Sequence, residues 1–149
     1  MTEMANLGDS DAMWRLGSDA EEAGDLVLAE SCYQKAADLG DSDAMVWLGV
    51  RAYRAGDMEL AEQWFQKAAD LGNQEGMWRV GWFALADDPV LAESWFQKAA
   101  DLGNSNGMYG LGRLAYEAGD LELAKSWLQK AADLGNQSAI EKLAELDAS

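Results

Sequence analysis

Apolar positions recur at helical spacing along most of the chain. Met13, Leu16, Gly17 and Ala20 stand at i, i+3, i+4 and i+7. The same pattern returns as Met45, Leu48, Gly49 and Ala52, as Met77, Val80, Gly81 and Ala84, and as Met108, Leu111, Gly112 and Ala115. Each set is followed by a second pair: Ala29 with Tyr33, Ala61 with Phe65, Ala92 with Phe96, and Ala124 with Leu128. This spacing predicts paired amphipathic helices of about a dozen residues each. The string QKAADLG begins at Gln34, Gln66, Gln97 and Gln129, at intervals of 32, 31 and 32 residues, the period of a solenoid built from helical pairs.

Turn chemistry fits the same register. Gly24-Asp25, Gly56-Asp57 and Gly119-Asp120 supply a left-handed C-terminal residue for one helix and an N-cap for the next. The third unit is one residue shorter and reads Asp87-Asp88-Pro89, where proline suits the first helical position after an aspartate cap. Gly40, Gly72, Gly103 and Gly135 close the second helices. The units are therefore 10–41, 42–73, 74–104 and 105–136, with a C-terminal capping helix over 137–149 and a partial repeat over 1–9, where Met4-Ala5-Asn6-Leu7-Gly8 resembles the end of a second helix. The expectation is a single repeat domain, 1–149. In the cap, Glu141, Lys142 and Glu145 are expected to face water.

Glycine inside a helix costs about 1 kcal/mol relative to alanine. Gly17, Gly49, Gly81 and Gly112 recur mid-helix all the same, which implies backbones too close for any side chain. Trp64, Trp95 and Trp127 share one position, Cys32 is their counterpart in the first unit, and all four are expected to pack as core, Cys32 as an inert thiol.

These residues carry a family resemblance. Leu48-Gly49 with Ala52, then Ala61 with Phe65, resembles the tetratricopeptide pattern. The endings Trp64-Phe65-Gln66-Lys67-Ala68-Ala69 and Leu71-Gly72 are similar to Sel1-like repeats. The inter-helix insertion usual in Sel1-like units is absent, and with Cys32 the sole cysteine the disulfide-bearing members are not models. The resemblance implies an all-α, right-handed α-solenoid of helix-turn-helix repeats that acts as an adaptor or scaffold. It also implies that first helices line a concave groove whose variable positions select ligands.

Transferred to this register, those positions are Asp11, Trp14, Ser18 and Glu21 in the first unit and Asp43, Val46, Val50 and Tyr53 in the second. The third offers Glu75, Trp78, Trp82 and Leu85, and the fourth Asn106, Tyr109, Arg113 and Tyr116. Trp78 with Trp82 and Tyr109 with Tyr116 share helix faces, and aromatic clusters of this kind mark interaction sites when exposed. Packing between neighbouring first helices is the competing explanation.

Charge adds an asymmetry. The 149 residues hold 27 acidic and 11 basic side chains, a net charge of −16. Residues 1–43 carry −9 of it, so Asp11, Glu21, Glu22 and Asp43 would make one end of the groove acidic and suited to a basic, hydrophobic peptide. The excess of negative charge argues against nucleic acid or anionic lipid as a ligand. No histidine is present, which removes histidine-based catalysis and metal ligation, and no apolar run exceeds seven residues. No signal-peptide pattern is seen, and a cytoplasmic location is expected.

Local motifs add nothing further. Gly110-x-Gly112-x-x-Ala115 matches a dinucleotide fingerprint but lies within a helix without a preceding strand. Asp9-Ser10-Asp11 and Asp41-Ser42-Asp43 lack the glycine and distal glutamate of a calcium loop. The leading expectation is a non-enzymatic module, without cofactor or metal, that holds a peptide or protein partner in an aromatic-rich, partly acidic groove. Two readings remain beside it: an acidic mimic of nucleic acid that binds a basic protein, and an engineered or truncated array with no activity of its own.

Overall fold

The computed structural model describes residues 9–149; the partial repeat expected at Met4–Gly8 lies outside them. Among the described residues the secondary structure is helical throughout, in the order α1 (Ser10–Glu22), α2 (Leu26–Asp38), α3 (Ser42–Arg54), α4 (Met58–Asp70), α5 (Gln74–Ala84), α6 (Pro89–Asp101), α7 (Ser105–Glu117), α8 (Leu121–Asp133) and α9 (Gln137–Asp147).

Caps set these boundaries. The Asp57 carboxylate accepts a hydrogen bond from Leu60 N–H at 3.1 Å, and Asp25, Asp88 and Asp120 do the same for the other second helices. Pro89 opens α6 behind its Asp88 cap. At the far end of α4, Gly72 takes φ 89°, Asn73 N–H bonds back to the Ala68 carbonyl and Gly72 N–H to that of Ala69. This wrapping pattern satisfies carbonyls that the helix end would otherwise leave bare.

The chain divides into two compact units, Met1–Asn73 and Gln74–Ser149, with the division at a repeat boundary. In the N-terminal unit α1 packs on α2 and α3 on α4; in the C-terminal unit α5 packs on α6, α6 on α7, α7 on α8 and α8 on α9. Each repeat buries one large side chain of its second helix against the glycine of its first. Tyr33, Phe65, Phe96 and Leu128 are at most 2% exposed, surrounded by alanines. A Cβ added to Gly49 would lie 2.5 Å from the Phe65 ring, and one on Gly81 2.6 Å from that of Phe96. The repeated mid-helix glycines thus admit a ring directly onto the helix backbone.

Two local expectations are corrected. Trp64, Trp95 and Trp127 are half-buried rather than core. Each precedes the buried residue of its helix by one position, so only part of the indole reaches the interior. The outer face lies under a lysine one turn on, with Lys67, Lys98 and Lys130 Nζ 4.7, 4.4 and 4.6 Å from the ring centroids. Lys142, expected to face water, is half-buried, and its Nζ lies 4.5 Å from the Tyr116 ring centroid. Glu141 and Glu145 are exposed as expected, and Cys32 is free and buried.

Candidate functional site

In the N-terminal unit the first helices carry Trp14, Val46 and Val50 half-buried and Tyr53 exposed. Trp14 meets the buried Tyr33 edge-on with ring centroids 4.8 Å apart. Trp47, absent from the expected groove set, covers Tyr33 from α3 at 4.3 Å. Its indole N–H donates to Glu21 Oε2 at 3.2 Å, and the Tyr33 hydroxyl donates to the same oxygen at 3.3 Å. Burial, then the neighbouring Glu21 carboxylate, pushes the Tyr33 hydroxyl up to about 12. The sequence did contain a sign of Trp47, since Arg15, Arg79 and Gly110 occupy the equivalent positions and a tryptophan there needs a local reason.

The four acidic residues expected at the groove end, Asp11, Glu21, Glu22 and Asp43, are all exposed, but they are not equivalent. Glu21 holds Tyr33 and Trp47, and Asp43 Oδ1 accepts from Asn73 Nδ2 at 2.8 Å. Asp11 and Glu22 present their carboxylates on the surface, so two of the four acids also serve the packing of the repeats.

The C-terminal unit is built differently. Trp78, Trp82 and Leu85 are half-buried and pack against the cluster of Phe96 and Leu111. Trp82 stands edge-on to Phe96 with centroids 5.8 Å apart and lies 6.2 Å from Tyr109. Its other neighbour is Arg113, whose guanidinium carbon sits 5.1 Å from the indole centroid. The two indoles therefore form a packed wall, and the accessible part of this face is the half-buried Tyr109, the exposed Arg113 and Tyr116, which is 40% exposed.

A cleft of about 310 Å³ opens here between α7 and α9. Tyr109, Arg113 and Tyr116 form one side and Lys142 the other, with Gly112 and Leu128 lining it further and Glu117 completing it. Arg113 Nε bonds Glu117 Oε1 at 3.1 Å, and Lys142 Nζ bonds Glu145 Oε2 at 3.2 Å. No group of three or more His, Cys, Asp or Glu among the described residues is placed to hold a metal ion.

Family comparisons agree with this repeat geometry. Residues 6–76 match the tetratricopeptide repeat model, and residues 75–104 and 105–136 each match the Sel1 repeat model. The chain is a tetratricopeptide- and Sel1-type helical-repeat protein. The fold is similar to that of a Sel1 repeat protein from Oxalobacter formigenes, with a TM-score of 0.81 and 26% identity over 97% of this chain. It is also similar to c5321, a protective antigen of uropathogenic Escherichia coli with an SLR fold, with a TM-score of 0.79 and 26% identity over 95% of this chain. The chain spans 66% and 34% of those two proteins. No curated protein matches the sequence. The repeat protein is thus an α-solenoid, of a kind whose members mediate protein–protein interaction. No described helix of the repeat protein is long and apolar enough to cross a membrane.

Proposed function

We propose that this chain is a non-enzymatic interaction module that binds a peptide or protein partner on its first-helix face. The observation that carries the reading is the face of the C-terminal unit. There a packed indole wall supports Tyr109, Arg113 and Tyr116 at the surface beside an open cleft. Tyrosine and arginine over a rigid apolar backing form the residue set that dominates protein interfaces. They bring large contact area with little conformational entropy to lose on binding.

Basic, hydrophobic partner character was expected from the acidic first helices. The surface carboxylates of Asp11 and Glu22 support it for the N-terminal unit alone, because the C-terminal face carries Arg113 and Lys142.

The test is co-purification of a partner with three proteins: wild type, Arg113→Ala/Tyr116→Ala, and Gln129→Ala on the opposite helix layer. Far-UV circular dichroism checks that each is folded. Loss in the first variant with retention in the second supports the reading. Equal retention in both overturns it.

A further inference from the structure

Exposed apolar side chains gather on one edge of each unit, where the turns join first helices to second. Leu26, Val27 and Leu28 open α2, Met58 and Leu60 open α4, and all five are exposed. Arg51, near the end of α3, reaches Glu30, near the start of α2, so both turns of the N-terminal unit lie on the same edge. Val90 with Leu91 at the start of α6, and Leu121 with Leu123 at the start of α8, repeat the arrangement in the C-terminal unit.

Nothing in the fold rewards the two valines. Val27 and Val90 are 83% and 77% exposed at the second position of their helices, where Glu59 and Glu122 stand in α4 and α8. The helix dipole favours a carboxylate at that position, and a β-branched side chain lowers helix propensity. The chain thus keeps an apolar side chain in water where its own repeats show a better-suited residue.

Charge is segregated on the same edge. The stretches from the last residue of each first helix to the third residue of the second are 22–28, 54–60, 84–91 and 117–123. They hold nine acidic side chains and one basic, Arg54, whereas the remainder of the chain holds 18 and 10. Asp25, Asp57, Asp88 and Asp120 each accept the backbone N–H of Leu28, Leu60, Leu91 or Leu123, which fixes a carboxylate beside every leucine of the edge. Glu117 is paired with Arg113, while Glu22, Glu59, Asp87 and Glu122 have no ion pair among the described residues.

We propose that this turn edge docks a partner segment that presents apolar side chains beside lysines or arginines, as a basic amphipathic helix does. The apolar row supplies burial, and the carboxylates along it supply the charge that cations complement. A second copy of the chain or an anionic lipid surface would set negative charge against negative charge, so neither is the occupant. The proposal goes beyond the first-helix face, because this surface is built from turns and the starts of second helices.

Fluorescence anisotropy with labelled synthetic peptides and the full chain tests it. The probes are an amphipathic leucine–lysine peptide, the same peptide with serines replacing the leucines, and the same peptide with glutamates replacing the lysines. The leucine–lysine peptide should bind about tenfold or more tighter than either control, with affinity falling as salt is raised. Val27→Gln/Val90→Gln should weaken it by about tenfold, the scale set by burying a valine. Glu59→Gln/Glu122→Gln should also weaken it. Leu71→Gln/Leu134→Gln, at exposed positions that end second helices, should leave it unchanged, with circular dichroism showing that all variants are folded.

Equal binding of the serine peptide, full binding by Val27→Gln/Val90→Gln, or an equal loss in Leu71→Gln/Leu134→Gln would each overturn the inference. The first-helix reading fails or stands separately. Arg113→Ala/Tyr116→Ala should keep the peptide, and losing it there would assign the peptide to the first-helix face and overturn the edge site. If the peptide series shows no preference while a partner still depends on Arg113 and Tyr116, the edge is wrong and the face is right.

Discussion

Gly49→Ala sets two general effects against each other, and the structure decides the sign. In an ordinary helix interior the substitution stabilises by about 1 kcal/mol, because alanine loses less backbone entropy. Here the new Cβ would sit 2.5 Å from Cε1 and 2.7 Å from Cδ1 of Phe65. That is about 1 Å inside ordinary carbon–carbon contact. The ring cannot swing aside easily, since Phe65 is 1% exposed and the neighbouring Ala61, Ala68 and Ala69 are buried as well. Overpacking of this kind costs about 1–3 kcal/mol, and a hemmed-in ring places the cost in the upper half of that range. The expected net effect is a loss of about 1–2 kcal/mol. Urea and thermal unfolding, followed by far-UV circular dichroism, measure it. A second arm uses Phe65→Leu, which removes the rigid ring. In that background the penalty of Gly49→Ala should shrink, giving a coupling of about 1 kcal/mol or more between the two positions. Stabilisation by Gly49→Ala in the wild-type background, or strict additivity with Phe65→Leu, would refute the close-approach argument.

Other substitutions test separate joints. Tyr33 should ionise near pH 12, above free tyrosine at about 10, as followed by tyrosinate absorbance. Because the folded-state value is raised, its contribution to stability is complete below about pH 10 and lost as pH rises through about 12, and Tyr33→Phe should flatten that loss. Asn73 Nδ2 bonds Ser42 Oγ and Asp43 Oδ1, and Asn136 Nδ2 bonds Ser105 Oγ and Asn106 Oδ1, whereas Asp41 at the same register position has no proton to donate. Asp41→Asn should therefore raise the free energy of unfolding by about 0.5–1.5 kcal/mol through bonds to Ser10 and Asp11, and no gain would argue that these staples contribute nothing. Trp47→Ala should expose the Tyr33 hydroxyl and lower its ionisation toward the free value, a shift readable in the same absorbance titration.

Most of the fold was legible because it rests on short-range rules repeated in phase. The glycine-aspartate turns, the proline after Asp88 and the Gly49–Phe65 type of contact each need only a few residues to specify them. The accessible face was less legible. Periodicity placed Trp78 and Trp82 on the first-helix face, but their depth depends on Phe96, which belongs to another helix, so sequence alone did not separate them from Tyr116 and Arg113. Glu21 and Asp43 looked like free groove charges because their partners, Trp47 and Asn73, lie 26 and 30 residues away. Lys142 looked like a solvated cap residue. Its position over Tyr116 emerges only when α9 is set against α7. Its register match with Trp47, however, was already present in the repeat alignment.

The central claim is that partners engage the α7–α9 side of the first-helix layer. Site-specific photo-crosslinking addresses it most directly, with p-benzoylphenylalanine placed at Tyr116 in one protein and at Gln129 in another. The account predicts that bound partner crosslinks from position 116 and not from position 129. Crosslinking from position 129 with none from position 116 would contradict it.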